Sequence, residues 1–287
     1  MRAGVVGLLP GNPASISQAH AARIRELGFT GASVSMARPD EARADDLGHA
    51  RAVLADHGIR VAQATASYPA LVHPEPAPRA EGVRLARLAC RGARLLDAVF
   101  LLIRAGSVNP AGNYAPHRDN YAPATVDRLV DSLRQVCAAA VDEGVTIGLE
   151  CHAVTTLETP RRVREIIDAV GSPALAYNAD PVNFVASFRD AFDTTTLLHR
   201  VFDELGRYVV SAHVKDVCLG NRLIVHLDEC APGEGVFDLA TFMRLYEQHR
   251  PDGYALIEHL PDAKIPAAKQ ALDAVLQRAG IVWKLDA

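Results

Sequence analysis

Eight short strand-like apolar runs alternate along the chain with eight helix-like segments, and little else fits that alternation but an α/β domain built on a parallel sheet. The runs fall at 3–9, 30–36, 59–66, 97–104, 145–150, 174–179, 208–214 and 254–258. Parallel neighbours need a crossover between them, and each gap is long enough to hold a helix. Eight such units in series predict a closed (β/α)8 barrel. The length of 287 residues is slightly above the about 250 typical of that architecture. No low-complexity linker or internal sequence repeat divides the chain, so a single domain over 1–287 is expected.

Two helices carry their own boundaries. Over Pro123–Glu143, the residues Val126, Leu129, Val130, Leu133, Val136, Cys137 and Ala140 line one face, and Gly144 stops the helix. Further on, Thr159 is placed to cap a helix that has Pro160 in its first turn, Val163, Ile166, Ile167 and Val170 on its apolar face, and Gly171 at its end.

Four of the later runs end on groups that bind metals: Glu150, Asp180, His213 and Glu258, spaced 30, 33 and 45 residues apart. Side chains alternate along a strand, so parity predicts which way each one points. Val145, Ile147, Leu149 and Cys151 form one face of the fifth run, which leaves Glu150 and His152 together on the other. By the same count Val210, Ala212 and Val214 should face the helices while Ser211, His213 and Lys215 face inward. Asn178 and Asp180 share an inward face, Glu258 goes with Tyr254 and Leu256, and His259 should point away. In a barrel these strand ends converge on the catalytic mouth.

Two long connections, 105–122 and 217–237, also follow strand ends and should lie over that mouth without regular structure. Asn109, Asn113, Tyr114, His117, Arg118 and Tyr121 suit the first to covering a polar ligand, although a subunit contact would use the same surface. A homo-oligomer is compatible with such a chain, but no helix stripe marks an interface.

Several functions are disfavoured by bulk properties. A net charge of −4 gives no electrostatic reason to expect a nucleic acid partner, and no run approaches the roughly 20 apolar residues of a membrane span. The first segment lacks the charged and apolar regions of a signal peptide, so a cytoplasmic location is expected. Five cysteines without paired short spacing suit reduced thiols better than a disulfide frame or a thiolate zinc site.

Three carboxylates and one imidazole make a hard, oxygen-rich set that suits Mn²⁺ or Mg²⁺, with Co²⁺ or Zn²⁺ able to substitute. Three carboxylates converging without a cation would repel one another, and at least one would protonate. A divalent ion in such a set can polarise a hydroxy-ketone while a flanking carboxylate takes the proton from the adjacent carbon. An acid at a single strand end is more often a helix cap or a surface group, and it is four at matching positions that point to a metal. His152 can orient a substrate or fill space with a satisfied hydrogen bond. Lys215 requires an anion, either a structural partner such as Asp216 or a substrate group. Arg104, ending the fourth run, suits a substrate contact or a salt bridge, and Asn183 a sugar hydroxyl or a turn cap.

The segments Gly148-Leu149-Glu150-Cys151-His152, Asp180-Pro181-Val182-Asn183, Ala212-His213-Val214-Lys215-Asp216, Gly233-Glu234-Gly235-Val236-Phe237-Asp238 and Ile257-Glu258 together resemble the xylose-isomerase-like TIM barrels. That superfamily includes sugar phosphate isomerases and epimerases, hydroxypyruvate isomerases, inosose dehydratases and AP endonucleases of the endonuclease IV type. The resemblance implies a TIM (β/α)8 barrel in which Glu150, Asp180, His213 and Glu258 hold the metal and Glu150 and Glu258 flank the substrate as an acid/base pair. Two departures narrow it. Endonuclease-IV-like members carry a His where this chain has Asn183, and His226 and Asp228 reverse the order of a later ligand pair. A xylose-type aldose isomerase would carry a lysine where His152 stands, which favours proton transfer over hydride shift. The expected function is thus a divalent-metal-dependent isomerase or epimerase of a small sugar, keto-sugar or hydroxy-acid, working through an enediolate. In it Arg104, His152, Asn183 and Lys215 orient the substrate. Dehydration of a keto-polyol is the alternative, followed by phosphodiester hydrolysis and by a catalytically inactive binding barrel.

Overall fold

The computed structural model describes residues 1–284. Its strands, in chain order, are β1 (Arg2–Val5), β2 (Gly31–Met36), β3 (Arg60–Ala66), β4 (Leu101–Arg104), β5 (Ile147–Glu150), β6 (Leu175–Ala179), β7 (Val209–Val214), β8 (Asp216–Leu219), β9 (Leu227–Cys230) and β10 (Tyr254–Ile257). Eight of them close into a parallel barrel in the order β1-β10-β7-β6-β5-β4-β3-β2, as the alternation predicts. Predicted and observed strands overlap throughout. β1 stops before the expected 3–9 because Gly7 and Leu8 take positive φ, and β4 starts late because Asp97 does the same after the preceding helix ends.

The helix Pro123–Glu143 ends at Gly144 in the left-handed conformation, and Pro160–Val170 ends likewise at Gly171. Thr159 Oγ1 accepts a hydrogen bond from the Arg162 amide, a cap that contributes roughly 1 kcal/mol. Both helices pack their apolar faces on the outside of the barrel. Leu129, Leu133, Val163 and Ile167 join Ile147, Leu149, Ala212 and Val214 in one core, each large side chain contributing about 1.5–3 kcal/mol of burial.

Inside the barrel the lower layers are apolar. Tyr254, Leu256 and Ala62 form one cluster and Phe100, Leu102 and Val210 another. Gly148 makes room for the second, since a Cβ there would lie 2.5 Å from the Phe100 ring. Val210 overturns the expectation that it faces the helices. Between β6 and β7 the register shifts, with Tyr177 opposite Val209 but Asn178 opposite Ser211, so Val210 is an extra residue that turns inward. Alternation resumes above the shift, and Ala212 and Val214 reach the helix-facing core as expected. The upper layer is polar: Ser33, Gln63, Glu150, Asn178, Asp180, Ser211, His213, Lys215 and Glu258 are all buried.

The connection 217–237 is not irregular as expected. β8 and β9 pair antiparallel with Asp216 opposite Cys230 and Leu219 opposite Leu227, so the hairpin satisfies its own backbone groups above the barrel. The other connection, 105–122, holds a 3-10 turn, Arg118–Tyr121. Asn120 pins it by donating to the Val154 carbonyl at 2.9 Å and accepting from the Val108 amide at 3.0 Å.

Candidate metal centre

β5, β6, β7 and β10 supply an arc of adjacent strands, and each contributes one group at its end. Glu150 closes β5, Asp180 directly follows β6, His213 sits in β7 and Glu258 directly follows β10. A ligand atom from each lies within 4.8 Å of all the others, and all four residues are buried. His213 Nδ1 is 2.8 Å from Glu258 Oε2, 3.6 Å from Glu150 Oε1 and 3.7 Å from Asp180 Oδ2. Such a cluster can hold a divalent metal ion.

The donor atoms fit that use. Asp180 Oδ1 is buried without a hydrogen-bond partner, as a lone pair aimed at a cation would be, and His213 Nδ1, turned to the carboxylates, becomes a donor to a cation once its proton leaves. The other imidazole nitrogen, Nε2, donates to Gln63 Oε1 at 2.7 Å, and Gln63 Nε2 donates in turn to Ser33 Oγ at 3.1 Å. That chain fixes the ring and leaves Nδ1 facing the carboxylates. Gln63 went unremarked in the sequence. Its signal was a long polar side chain set between Ala62 and Ala64 in the middle of β3.

Charge in the cluster is tightly coupled. Burial pushes the Glu150 carboxyl up, but the imidazoles of His152 and His213 outweigh it and hold the group well below the usual range. Burial likewise opposes ionisation of Glu258, and His213 and Lys215 overcome it. For Asp180 burial prevails over the pull of Lys215, with the charge of Glu258 adding to it, so this carboxyl is raised. His213 and Lys215 lose stability through burial and regain more from the carboxylates, which holds both well above their ordinary values.

The residues expected to orient a substrate fall around this cluster in different ways. Lys215 Nζ lies 2.8 Å from Asp180 Oδ2, 2.9 Å from Glu258 Oε1 and 3.4 Å from Glu229 Oε2. Its anions are therefore these three, and not Asp216. Asp216 instead ties the hairpin base together, accepting from the amides of Val217, Gly233 and Phe237. Asn183 donates to Asp180 Oδ2 at 2.7 Å and so fixes that carboxylate. His152 Nε2 lies 3.4 Å from Glu150 Oε2, with its ring edge-on to Tyr114 at 4.5 Å. Arg104 is the Cα partner of Glu150 across β4 and β5.

Three contacts show what the loops add. Tyr114, in the first long connection, donates to Glu150 Oε2 at 3.0 Å, which brings that loop to the centre. Glu229 reaches Lys215 from β9, a role that nothing in the 217–237 segment signalled. His259 does not point away as parity requires: its Nδ1 is 3.1 Å from Glu229 and 3.7 Å from Glu258. β10 ends at Ile257 and His259 has φ +55°, so strand alternation no longer applies there.

Residues 21–278 match the family described as xylose isomerase-like TIM barrel. Among solved structures, a xylose isomerase-like TIM barrel protein from Mycobacterium smegmatis in complex with magnesium is 17% identical, with 97% of this chain and 96% of that one covered and a TM-score of 0.74. A D-tagatose 3-epimerase-like protein is 17% identical over 98% of each chain at a TM-score of 0.75. The 3-keto-D-glucoside 4-epimerase from E. coli is 16% identical over 96% of this chain and 99% of its own, at 0.70. At these identities the likeness is one of fold. A search of curated protein sequences finds no match.

Proposed function

The chain belongs to the xylose isomerase-like TIM barrel family, and on that premise we propose that it is a divalent-metal-dependent epimerase or isomerase of a small polyhydroxylated keto compound. The observation that carries this reading is the convergence of Glu150, Asp180, His213 and Glu258 at one barrel mouth. These four residues would hold the ion. The oxygen-rich set suits Mn²⁺ or Mg²⁺. When bound, the ion supplies Lewis acidity toward the oxygens of the hydroxy-ketone.

Glu150 and Glu258 stand at the two ends of the four-strand arc, with Asp180 and His213 between them. One of these outer carboxylates takes the carbon-bound proton, and an enediolate forms. In epimerisation the other carboxylate returns a proton from the opposite face. In isomerisation a proton returns to the neighbouring carbon. Lys215 balances the negative charge of Glu258, and Tyr114 holds one oxygen of Glu150 in place. Asn183 keeps Asp180 oriented.

The test is turnover of ketoses and hydroxy-keto acids by Mn²⁺-loaded protein in D₂O. Carbon-bound deuterium in product or recovered substrate is expected. Turnover without any deuterium, or loss of a water from the product mass, would replace this reading with hydride shift or dehydration respectively.

A further inference from the structure

Arg104 continues the inward face of β4 above Phe100 and Leu102, which line the barrel interior, and it pairs in register with Glu150. Its guanidinium is held rigidly. Nη2 donates to the Ala66 carbonyl at 2.8 Å, and the plane lies over the Tyr68 ring at 5.8 Å from its centre. Tyr68 is itself fixed, because its hydroxyl accepts from the Arg104 backbone amide at 2.7 Å.

Among the described residues this guanidinium has no direct ion pair, and the carboxylate charge that acts on it is that of Glu150. Nε is buried without a hydrogen-bond partner, and among the described residues no carboxylate oxygen lies within 4.0 Å of the group. The other cation of the mouth, Lys215, has three carboxylates around it. Arginine does not shed its proton to escape burial, and Glu150, the carboxylate that acts on it, is engaged by His152, His213 and Tyr114, so the guanidinium fork is left without a direct anionic partner that a group entering the mouth could supply. His152, whose Nε2 lies 3.4 Å from Glu150 Oε2, borders the same wall through Tyr114.

We propose that Arg104 is the carboxylate-binding residue of this mouth and that the substrate is a sugar acid, a polyhydroxylated keto acid with one negative charge. The proposal rests on the metal-assisted reading above and narrows its substrate class. A planar carboxylate matches the fixed guanidinium fork in two parallel hydrogen bonds. A phosphate does not match it, because its second negative charge would face Glu150 with no further uncompensated cation nearby.

The test uses Mn²⁺-loaded protein and three probes of similar length, D-gluconate, sorbitol and sorbitol 6-phosphate, titrated by calorimetry. Gluconate should bind about tenfold or more tightly than sorbitol. Arg104→Gln should erase that preference and Arg104→Lys should restore part of it. Equal binding of gluconate and sorbitol by the unaltered protein overturns the proposal, and so does a preference that survives in R104Q, which would place the carboxylate on the metal. Tighter binding of sorbitol 6-phosphate than of gluconate overturns the choice of anion. These outcomes differ from failure of the underlying reading, which shows earlier as no Mn²⁺ binding at all and removes both.

Discussion

Gln63 and His213 stand 150 positions apart in the chain, yet Gln63 Oε1 accepts a 2.7 Å hydrogen bond from His213 Nε2 inside the barrel. The contact decides which imidazole nitrogen faces the three carboxylates. It places a residue of β3 under a centre otherwise built from β5, β6, β7 and β10.

Gln63→Leu should therefore weaken metal binding without touching a proposed ligand. A neutral side chain leaves His213 Nε2–H buried and unpaired, at a cost of about 1–3 kcal/mol in stability. Loss of the orienting bond should lower Mn²⁺ affinity about 10–100-fold. Calorimetric titration of both proteins checks this, and unchanged affinity would show that packing alone positions the ring.

Glu150→Gln and Glu258→Gln should each reduce turnover by roughly 10²–10⁴-fold when measured at saturating Mn²⁺. Each amide keeps the shape of the carboxylate but cannot take a proton. Deuterium exchange into recovered substrate separates the two roles, because the variant lacking the first acceptor should lose exchange altogether. Full exchange in both variants would remove these residues from proton transfer.

Metal loading should release protons at neutral pH. The carboxylates hold the His213 imidazole above its ordinary value, so it carries a proton before the ion binds, whereas a ligating imidazole must be neutral. The sign follows: apparent Mn²⁺ affinity rises with pH and falls as pH drops, more so as the raised carboxyl of Asp180 also takes up a proton. Titration in buffers of different ionisation enthalpy should report about one proton released per ion. Zero release would mean that His213 is neutral beforehand.

Asp216→Ala should unsettle the hairpin base. Three backbone amides, those of Val217, Gly233 and Phe237, donate to this one carboxylate at 2.8, 3.0 and 2.8 Å. Leaving them unpaired should cost about 3 kcal/mol and lower Tm by roughly 5–10 °C. Lys215 keeps its own three anions in this variant, so Mn²⁺ affinity should change little by comparison with the fall in Tm.

How far the sequence reaches can be read residue by residue. Strand periodicity placed Glu150, Asp180, His213 and Glu258 on inward faces because alternation is a local property of extended backbone, and each of the four lies in a strand or directly after one. Helix limits such as Thr159 and Gly171 were legible for the same reason, since capping involves groups three or four residues apart. Where backbone geometry departs from the regular strand, the reading fails. Val210 sits at a register shift set by the neighbouring strand, and His259 lies past a strand end in a left-handed conformation.

By itself the order of residues determined the eightfold alternation and the four polar groups that close its later strands, because both follow from short-range periodicity. Only the closed barrel decided that Gln63 orients His213, that Lys215 is shared among Asp180, Glu258 and Glu229, and that Arg104 stands in register with Glu150. Those relationships join residues from tens to 150 positions apart. They depend on strand register and loop path, which distant parts of the chain settle together as the core packs.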